Sequence, residues 1–211
     1  MLNEYQKKIT NHLECGLLVL APVGTGKTLT IAERAANAIS NGFAPERILC
    51  LTFTNRAAKE MGERIKRKQH SDADKITVST LHALCATMLR LESHEIGLPR
   101  DFVVYDEVDS IELIQEIEHI DFQEARNIYN QIGTLKVDTD GNLISASGLM
   151  MDFFKDLPKR TASIAIEYQR ALQLRHALDF QDLMVFTWAM LKENEEIYER
   201  WTDLNTFLIM E

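Results

Sequence analysis

Nowhere in the 211 residues does an apolar run approach the roughly 18–20 residues of a membrane-spanning helix, which excludes a helical membrane protein. The opening MLNEYQKKIT has no signal-peptide h-region, and the chain contains neither an internal repeat nor a low-complexity tract. Cysteine is scarce. Cys15, Cys50 and Cys85 are odd in number, lie far apart and form no C-x-x-C pair. That spacing argues against a disulfide framework, gives zinc little support, and predicts reduced, mostly buried thiols in an intracellular protein. One sign of charge is missing locally: nine acidic residues and no Lys or Arg fall between Asp101 and Glu124.

What is present suits a soluble globular chain. Hydrophobic residues make up 45% and charged residues 26%, and the length allows one large domain or one domain with an insertion. A net charge of −9 at first opposes a nucleic-acid partner. Between Asn41 and His70, however, seven basic residues (Arg47, Arg56, Lys59, Arg64, Lys66, Arg67, Lys68) meet three acidic ones (Glu46, Glu60, Glu63). Polyanions respond to the local field, so the acidic total leaves that partner open.

The first hundred residues alternate between two periodicities. LNEYQKKITNHL has helical spacing, LLVLA reads as a short buried strand, and Lys27 to Asn41 as a helix closed by Gly42. RILCLTF, NRAAKEMGERIKRK, KITVS and LHALCATMLRL continue as strand, helix, strand and helix. This order predicts βαβ units and a parallel sheet with helices on both faces. Beyond GLPRD the texture turns helical, over Asp109 to Thr134 and Met150 to Leu174, with KVDTDGNLISASG between them as a loop or a short hairpin around Asp140-Gly141. No further strand run is expected until TFLIM. The predicted organisation is an α/β first part over residues 1–100, a mostly helical insertion over 101–178, and a return to the α/β domain over 179–211.

APVGTGKT lies between an apolar run and a helix, the order required of a Walker A phosphate loop. Ala21 stands in the first glycine position. Gly24 and Gly26 let backbone N–H groups surround phosphate oxygens, with Thr25 between them; Lys27 reaches the β- and γ-phosphates, and Thr28 offers a hydroxyl to Mg²⁺. The helix that begins there directs its positive end at the same anion.

Several stretches together resemble the first motor domain of superfamily 1 DNA helicases, the UvrD/Rep/PcrA group. LNEYQ is similar to the family's N-terminal glutamine motif, which implies that Gln6 contacts adenine. APVGTGKT resembles AGAGSGKT, with Pro22 departing from the usual Gly. ILCLTFTNRAAKEM resembles the TFTNKAAxEM segment, whose loop contacts single-stranded DNA, and VSTLHALCATMLR resembles TFHxxxxxxLR with Leu81 in place of Phe. FVVYDEVD resembles the start of the family's helical subdomain, and LDFQDLM the DFDDLL that leads back to the sheet. The resemblance spans nearly the whole chain. It implies a P-loop (RecA-like) fold, ATP and Mg²⁺, and single-stranded DNA or a duplex junction as partner, with 3′-to-5′ polarity and no membrane association.

The residues themselves allow two readings of the loop after RILCL. Phe53 has the chemistry to stack a base, and Thr52, Thr54 and Asn55 to bond phosphate or sugar; equally, Phe53 suits a core and Thr54 or Asn55 a helix N-cap. The resemblance favours DNA contact. His82 follows two candidate caps, Ser79 and Thr80, so a structural role and a DNA contact both remain open. Asp179 and Asp182 in LDFQDLM are read as an N-cap and first-turn pair rather than as a catalytic pair.

Turnover also needs a carboxylate. FVVYDEVD offers Asp106 and Glu107 after an apolar run, and TFLIME offers Glu211. By resemblance the helicase DExQD follows the DF-DL element, which assigns Asp106 to the start of the insertion and places the carboxylate motif at or beyond Glu211. The expectation is therefore the N-terminal, ATP-binding part of a DNA helicase, cut at its own Walker B motif and unable to unwind DNA alone. Two alternatives stay open: a non-catalytic helicase remnant that binds nucleotide or a partner, and a self-contained P-loop ATPase that uses Asp106 and Glu107.

Overall fold

Asn3 and Gln6 satisfy each other's backbone N–H groups in a capping box, which sets the start of α1 (Glu4–Asn11). The computed structural model describes residues 2–22, 24–68, 73–138 and 159–211. After α1 come α2 (Lys27–Ser40), β1 (Ile48–Thr52), α3 (Asn55–Lys68), β2 (Thr77–Thr80), α4 (Leu81–Leu91), α5 (Ser93–Ile96) and β3 (Val103–Tyr105). The remainder is α6 (Glu107–Glu118), α7 (Phe122–Asp138), α8 (Lys159–Leu174), β4 (Ala177–Asp179), α9 (Phe180–Glu193), α10 (Glu195–Leu204) and β5 (Phe207–Met210). The predicted α/β class holds: small parallel sheets are flanked by helices.

The chain divides into two compact units, Met1–Leu84 with Glu199–Glu211, and Cys85–Tyr198. In the first, the strand order is β2-β1-β5, all parallel. Ile48 and Cys50 of β1 pair with Phe207 and Ile209 of β5, and these four join Ala32, Ala35 and Ala38 of α2 and Met61 and Ile65 of α3 in one core. Small alanines on α2 allow that helix to approach the sheet closely. Leu49 and Leu51 on the other face of β1 are buried too, so the central strand is apolar without alternation, while their partners Leu208 and Met210 on β5 are exposed. The last strand, β5, is held by this ladder.

The predicted strand LLVLA does not form. Leu17 to Leu20 pair with no ladder, and Leu18 and Leu20 are 85% and 89% exposed. A strand needs a neighbour for its backbone groups, and among the described residues nothing pairs with the other edge of β5. Apolar composition alone could not supply that neighbour.

The second unit combines helices with two short strands. β3 and β4 form a two-stranded parallel sheet of their own, with Val103 opposite Ala177 and Tyr105 opposite Asp179. Strand runs of three residues are too short to stand out in the sequence. The helical expectation is met by α6 and α7, broken at His119, which caps α6 in the left-handed region. Helix α7 continues through Lys136 to Asp138, into the stretch read as a loop. The Asp140-Gly141 turn and the Met150 end of the following helix lie outside the described residues. Ile111, Ile114, Ile128, Ile132, Ile164 and Leu172 build this unit's core from α6, α7 and α8. No helix among the described residues is long and apolar enough to cross a membrane.

Burial of the thiols is confirmed for two of three. Cys50 and Cys85 are buried, and burial pushes the Cys50 thiol up to about 12. Cys15 is instead exposed, with its Sγ 3.1 Å from Nε2 of His12. In the folded chain an alkylating reagent is expected to modify Cys15 alone, with Cys50 and Cys85 following only on denaturation. Peptide mass mapping with and without urea checks this.

Candidate functional site

The parallel order of β1, β2 and β5 brings their carboxyl ends to one edge of the sheet, the edge where α/β proteins bind ligands. Gly24 and Gly26 there have φ of +83° and +82°, a left-handed conformation that side chains resist. Gly26 is the N-cap of α2 without any side-chain cap, so the first N–H groups of a 14-residue helix point outward unclaimed by a side chain. Lys27 curls back over the loop, its Nζ 3.3 Å from the carbonyl of Ala21 and 3.1 Å from that of Pro22. Thr25 Oγ1 donates to the Pro22 carbonyl at 2.8 Å, which tightens the turn from within.

Gln6 reaches this loop from α1. Its Nε2 donates to the carbonyl of Thr25 at 3.1 Å, while its Oε1 closes the capping box on Asn3. A Cβ on residue 26 would lie 3.2 Å from that Nε2, a tight contact that the end of the Gln6 side chain would have to yield, while the positive φ is what calls for glycine. Arg34 Nη1 donates to the carbonyl of Ile9, and Asn37 Nδ2 to that of Thr10, tying α1 to α2.

Of the carboxylates the sequence offered, Glu211 is the one that meets this loop. Thr28 Oγ1 donates to its Oε1 at 2.5 Å and Thr52 Oγ1 to its Oε2 at 2.7 Å. Its backbone N–H extends the ladder by donating to the Leu51 carbonyl at 2.9 Å. A hydroxyl and a carboxylate in contact beside a phosphate loop form a hard-oxygen donor set. Such a set fits Mg²⁺, which usually takes one or two carboxylates and completes its shell with phosphate and water.

Asp106 and Glu107 lie in the other unit and are engaged locally. Asp106 caps α6 through the N–H groups of Val108 and Asp109, and Glu107 pairs with Arg126 at 3.3 Å. Asp179 and Asp182 do form the expected capping box, at the start of α9. No local pattern pointed to a third member: Lys136 Nζ sits 2.7 Å from Asp179 and 2.8 Å from Asp182, all three buried.

The four residues read as a nucleic-acid loop separate into different roles. Thr52 is 5% exposed with its hydroxyl spent on Glu211, whereas Phe53, the next residue, is 92% exposed. Phe53 is thus not core. Thr54 Oγ1 accepts from the N–H of Ala57 at 3.1 Å and starts α3, on which Asn55 is exposed. His82 is half-buried, and burial lowers its pKa, which favours the neutral ring; Thr80 supplies the cap in front of it, accepting from the N–H of Ala83. Of the basic residues on α3, Lys68 pairs with Glu33 at 2.7 Å and Lys66 with Asp74, so part of the local positive excess is met within the chain.

The family model for the UvrD/REP helicase N-terminal domain matches residues 2–210. A probable DNA helicase II homolog of Mycoplasma capricolum is 28% identical over all of this chain and 30% of its own length. The ATP-dependent DNA helicase PcrA of Staphylococcus aureus is 31% identical over 94% of this chain and 27% of its own. The ATP-dependent DNA helicase UvrD1 of Mycobacterium bovis is 36% identical over 93% of this chain and 26% of its own. The chain therefore spans between 26% and 30% of the length of these relatives. A glycine-bearing loop at the start of α2 and an exposed aromatic beyond the adjoining strand sit within a match that runs almost end to end, and the chain belongs to the UvrD/REP helicase N-terminal domain family.

Proposed function

We propose that this chain is the ATP-binding and single-strand-contacting part of an ATP-dependent DNA helicase. The observation that carries the reading is Glu211, whose carboxylate rests on Thr28 of the phosphate loop and on Thr52, one residue before the exposed Phe53. In this reading Gly24, Thr25 and Gly26 present backbone N–H groups to the phosphates, and the Lys27 ammonium leaves its loop carbonyls for the β- and γ-phosphate oxygens. Thr28 and Glu211 would hold Mg²⁺, which when bound would neutralise phosphate charge. Gln6, already anchored on the Thr25 carbonyl, orients the base side of the nucleotide. Phe53 stacks a base of the single strand, with Asn55 and Thr54 beside the sugar-phosphate. In the whole helicase, hydrolysis would move the protein along that strand, in the 3′-to-5′ direction implied by the resemblance.

Fluorescence titration of the chain with Mg²⁺-ATP and, separately, with a labelled oligothymidylate tests the reading. Phe53→Ala is expected to cost the oligonucleotide about 1–3 kcal/mol of binding, the worth of one stacked base, and to leave nucleotide affinity unchanged. Nucleotide binding without oligonucleotide binding would favour the second reading, a nucleotide-binding remnant with no motor role. Absence of both would remove the proposal.

A further inference from the structure

The connection between α1 and the phosphate loop carries a side-chain cluster that nucleotide binding does not use. Cys15 is exposed, and its Sγ lies 3.1 Å from Nε2 of His12. A third group joins them through one carbonyl. That of Ile9 accepts from the backbone N–H of His12 at 3.3 Å and from Arg34 Nη1 at 2.7 Å, so the end of α1 and a guanidinium from α2 meet at a single oxygen. The same guanidinium lies over the ring of Phe207, 5.4 Å from its centroid. Burial lowers the pKa of Arg34 and the charge of Cys15 acts in the raising direction, which places the thiol within electrostatic reach of a permanent cation.

A thiol that exchanges with a disulfide needs an acceptor for its proton and a path for the reagent. The His12 ring, in contact with the thiol through Nε2, is that acceptor when its own proton sits on Nδ1. The approach is open, since a Cβ on the neighbouring Gly16 would meet nothing within 4 Å. Arg34 adds a positive charge for a reagent that carries carboxylates. The other two thiols have none of this: Cys50 and Cys85 are buried, and burial raises the pKa of both. A metal would be the competing use of a His-Cys pair. Among the described residues no third His, Cys, Asp or Glu completes such a set, and a guanidinium repels a cation.

We propose that Cys15 is a modification site whose thiol exchanges with small anionic disulfides to give a mixed disulfide, with His12 as proton acceptor and Arg34 as the partner of the adduct's carboxylate. In that step Cys15 Sγ bonds to one sulfur of the reagent and the reagent's own S–S bond breaks. The proton released by Cys15 passes by way of His12 Nε2 to the departing thiolate, so a thiol and a disulfide give a disulfide and a thiol. The proposal is independent of what the phosphate loop binds.

The test follows the reaction of the folded chain with oxidised glutathione, mapped by peptide mass, beside its reaction with the neutral reagent iodoacetamide. The adduct is expected on Cys15 alone. His12→Gln, which keeps a polar side chain but takes up no proton, should slow the exchange by about tenfold or more, short of the roughly 10²–10⁴-fold of a full enzymic base. Salt supplies a sign of its own. The chain carries a net charge of −9, so a reagent that responds to the total reacts faster as salt is added, whereas one drawn to Arg34 reacts more slowly. Oxidised glutathione should slow by about fourfold, the size of one charge pair in water, while iodoacetamide keeps its rate. Equal rates in the unaltered chain and His12→Gln overturn the proposal. So does an exchange rate that rises or stays level with salt, or an adduct on Cys50 or Cys85 of the folded chain. Should the denaturation midpoint show that His12→Gln has unfolded, the salt response of the unaltered chain decides alone.

Discussion

Lys136→Met is expected to destabilise the second unit by about 3–5 kcal/mol, because it leaves two buried carboxylates without their cation. Asp179 and Asp182 are 1% and 0% exposed and share the one ammonium. Further donors complete the cluster: Tyr168 Oη to Asp179 Oδ2 at 2.9 Å and Gln169 Nε2 to Asp182 Oδ2 at 3.1 Å. Burial and the Asp179 charge hold the Tyr168 phenol far above its ordinary range, so it remains a donor. With a domain's whole stability at about 5–15 kcal/mol, a loss of that size shifts the chemical-denaturation midpoint plainly. Adding Asp179→Asn and Asp182→Asn to Lys136→Met should recover much of the loss, since asparagine preserves the cap and removes the stranded charge. A single-variant loss under about 1 kcal/mol would mean that the ion cluster does not hold this unit together.

The same cluster gives a pH dependence with a definite sign. Two carboxylates facing one ammonium leave an excess negative charge in a dry site. Burial first, and then the Asp179 charge, push Asp182 up to about 6 against the pull of Lys136. The native state therefore binds a proton that the unfolded chain has already released, and this group's contribution to stability falls as pH rises from 3.8 to about 6, then stays level. Burial lowers the Lys136 ammonium, but Asp179 and Asp182 outweigh it and hold it above 10.5, so its stabilising part is lost only at more alkaline pH. Denaturation midpoints of the unaltered chain and Asp182→Asn across the acid range check the first window, which the variant should lack.

Lys27→Ala is expected to weaken Mg²⁺-ATP binding by about one to two orders of magnitude, the worth of a charge-assisted hydrogen bond of about 1.5–3 kcal/mol. The loop itself should survive. Lys27 Nζ contributes to it only through the Ala21 and Pro22 carbonyls, while Thr25, Gln6 and the two left-handed glycines keep their own contacts. An unchanged denaturation midpoint beside a much weaker nucleotide isotherm is the expected pair of results. Nucleotide affinity equal to that of the unaltered chain would sink the phosphate-loop assignment, since Lys27 is the cation that adjoins the loop carbonyls at the start of α2.

Local chemistry made much of this protein readable from its residues alone. Helical periodicity and glycine punctuation marked α2, α3 and α4 to within a residue, because those signals depend on neighbours three and four positions away. The phosphate loop was legible for the same reason, as was the cap formed by Asp179 and Asp182. Tertiary structure decided the rest. LLVLA has the composition of a strand, but a strand exists only where another lies beside it, and among the described residues none pairs with Leu17–Leu20. Lys136 is 43 residues from Asp179, and Glu211 is 183 from Thr28 and 159 from Thr52, separations that no local pattern can bridge. Residues 52 and 53 could not be separated by type, since Thr and Phe both suit a DNA-facing loop. The end of β1 buries one and exposes the other, and so determined which hydroxyl meets the carboxylate and which ring meets solvent.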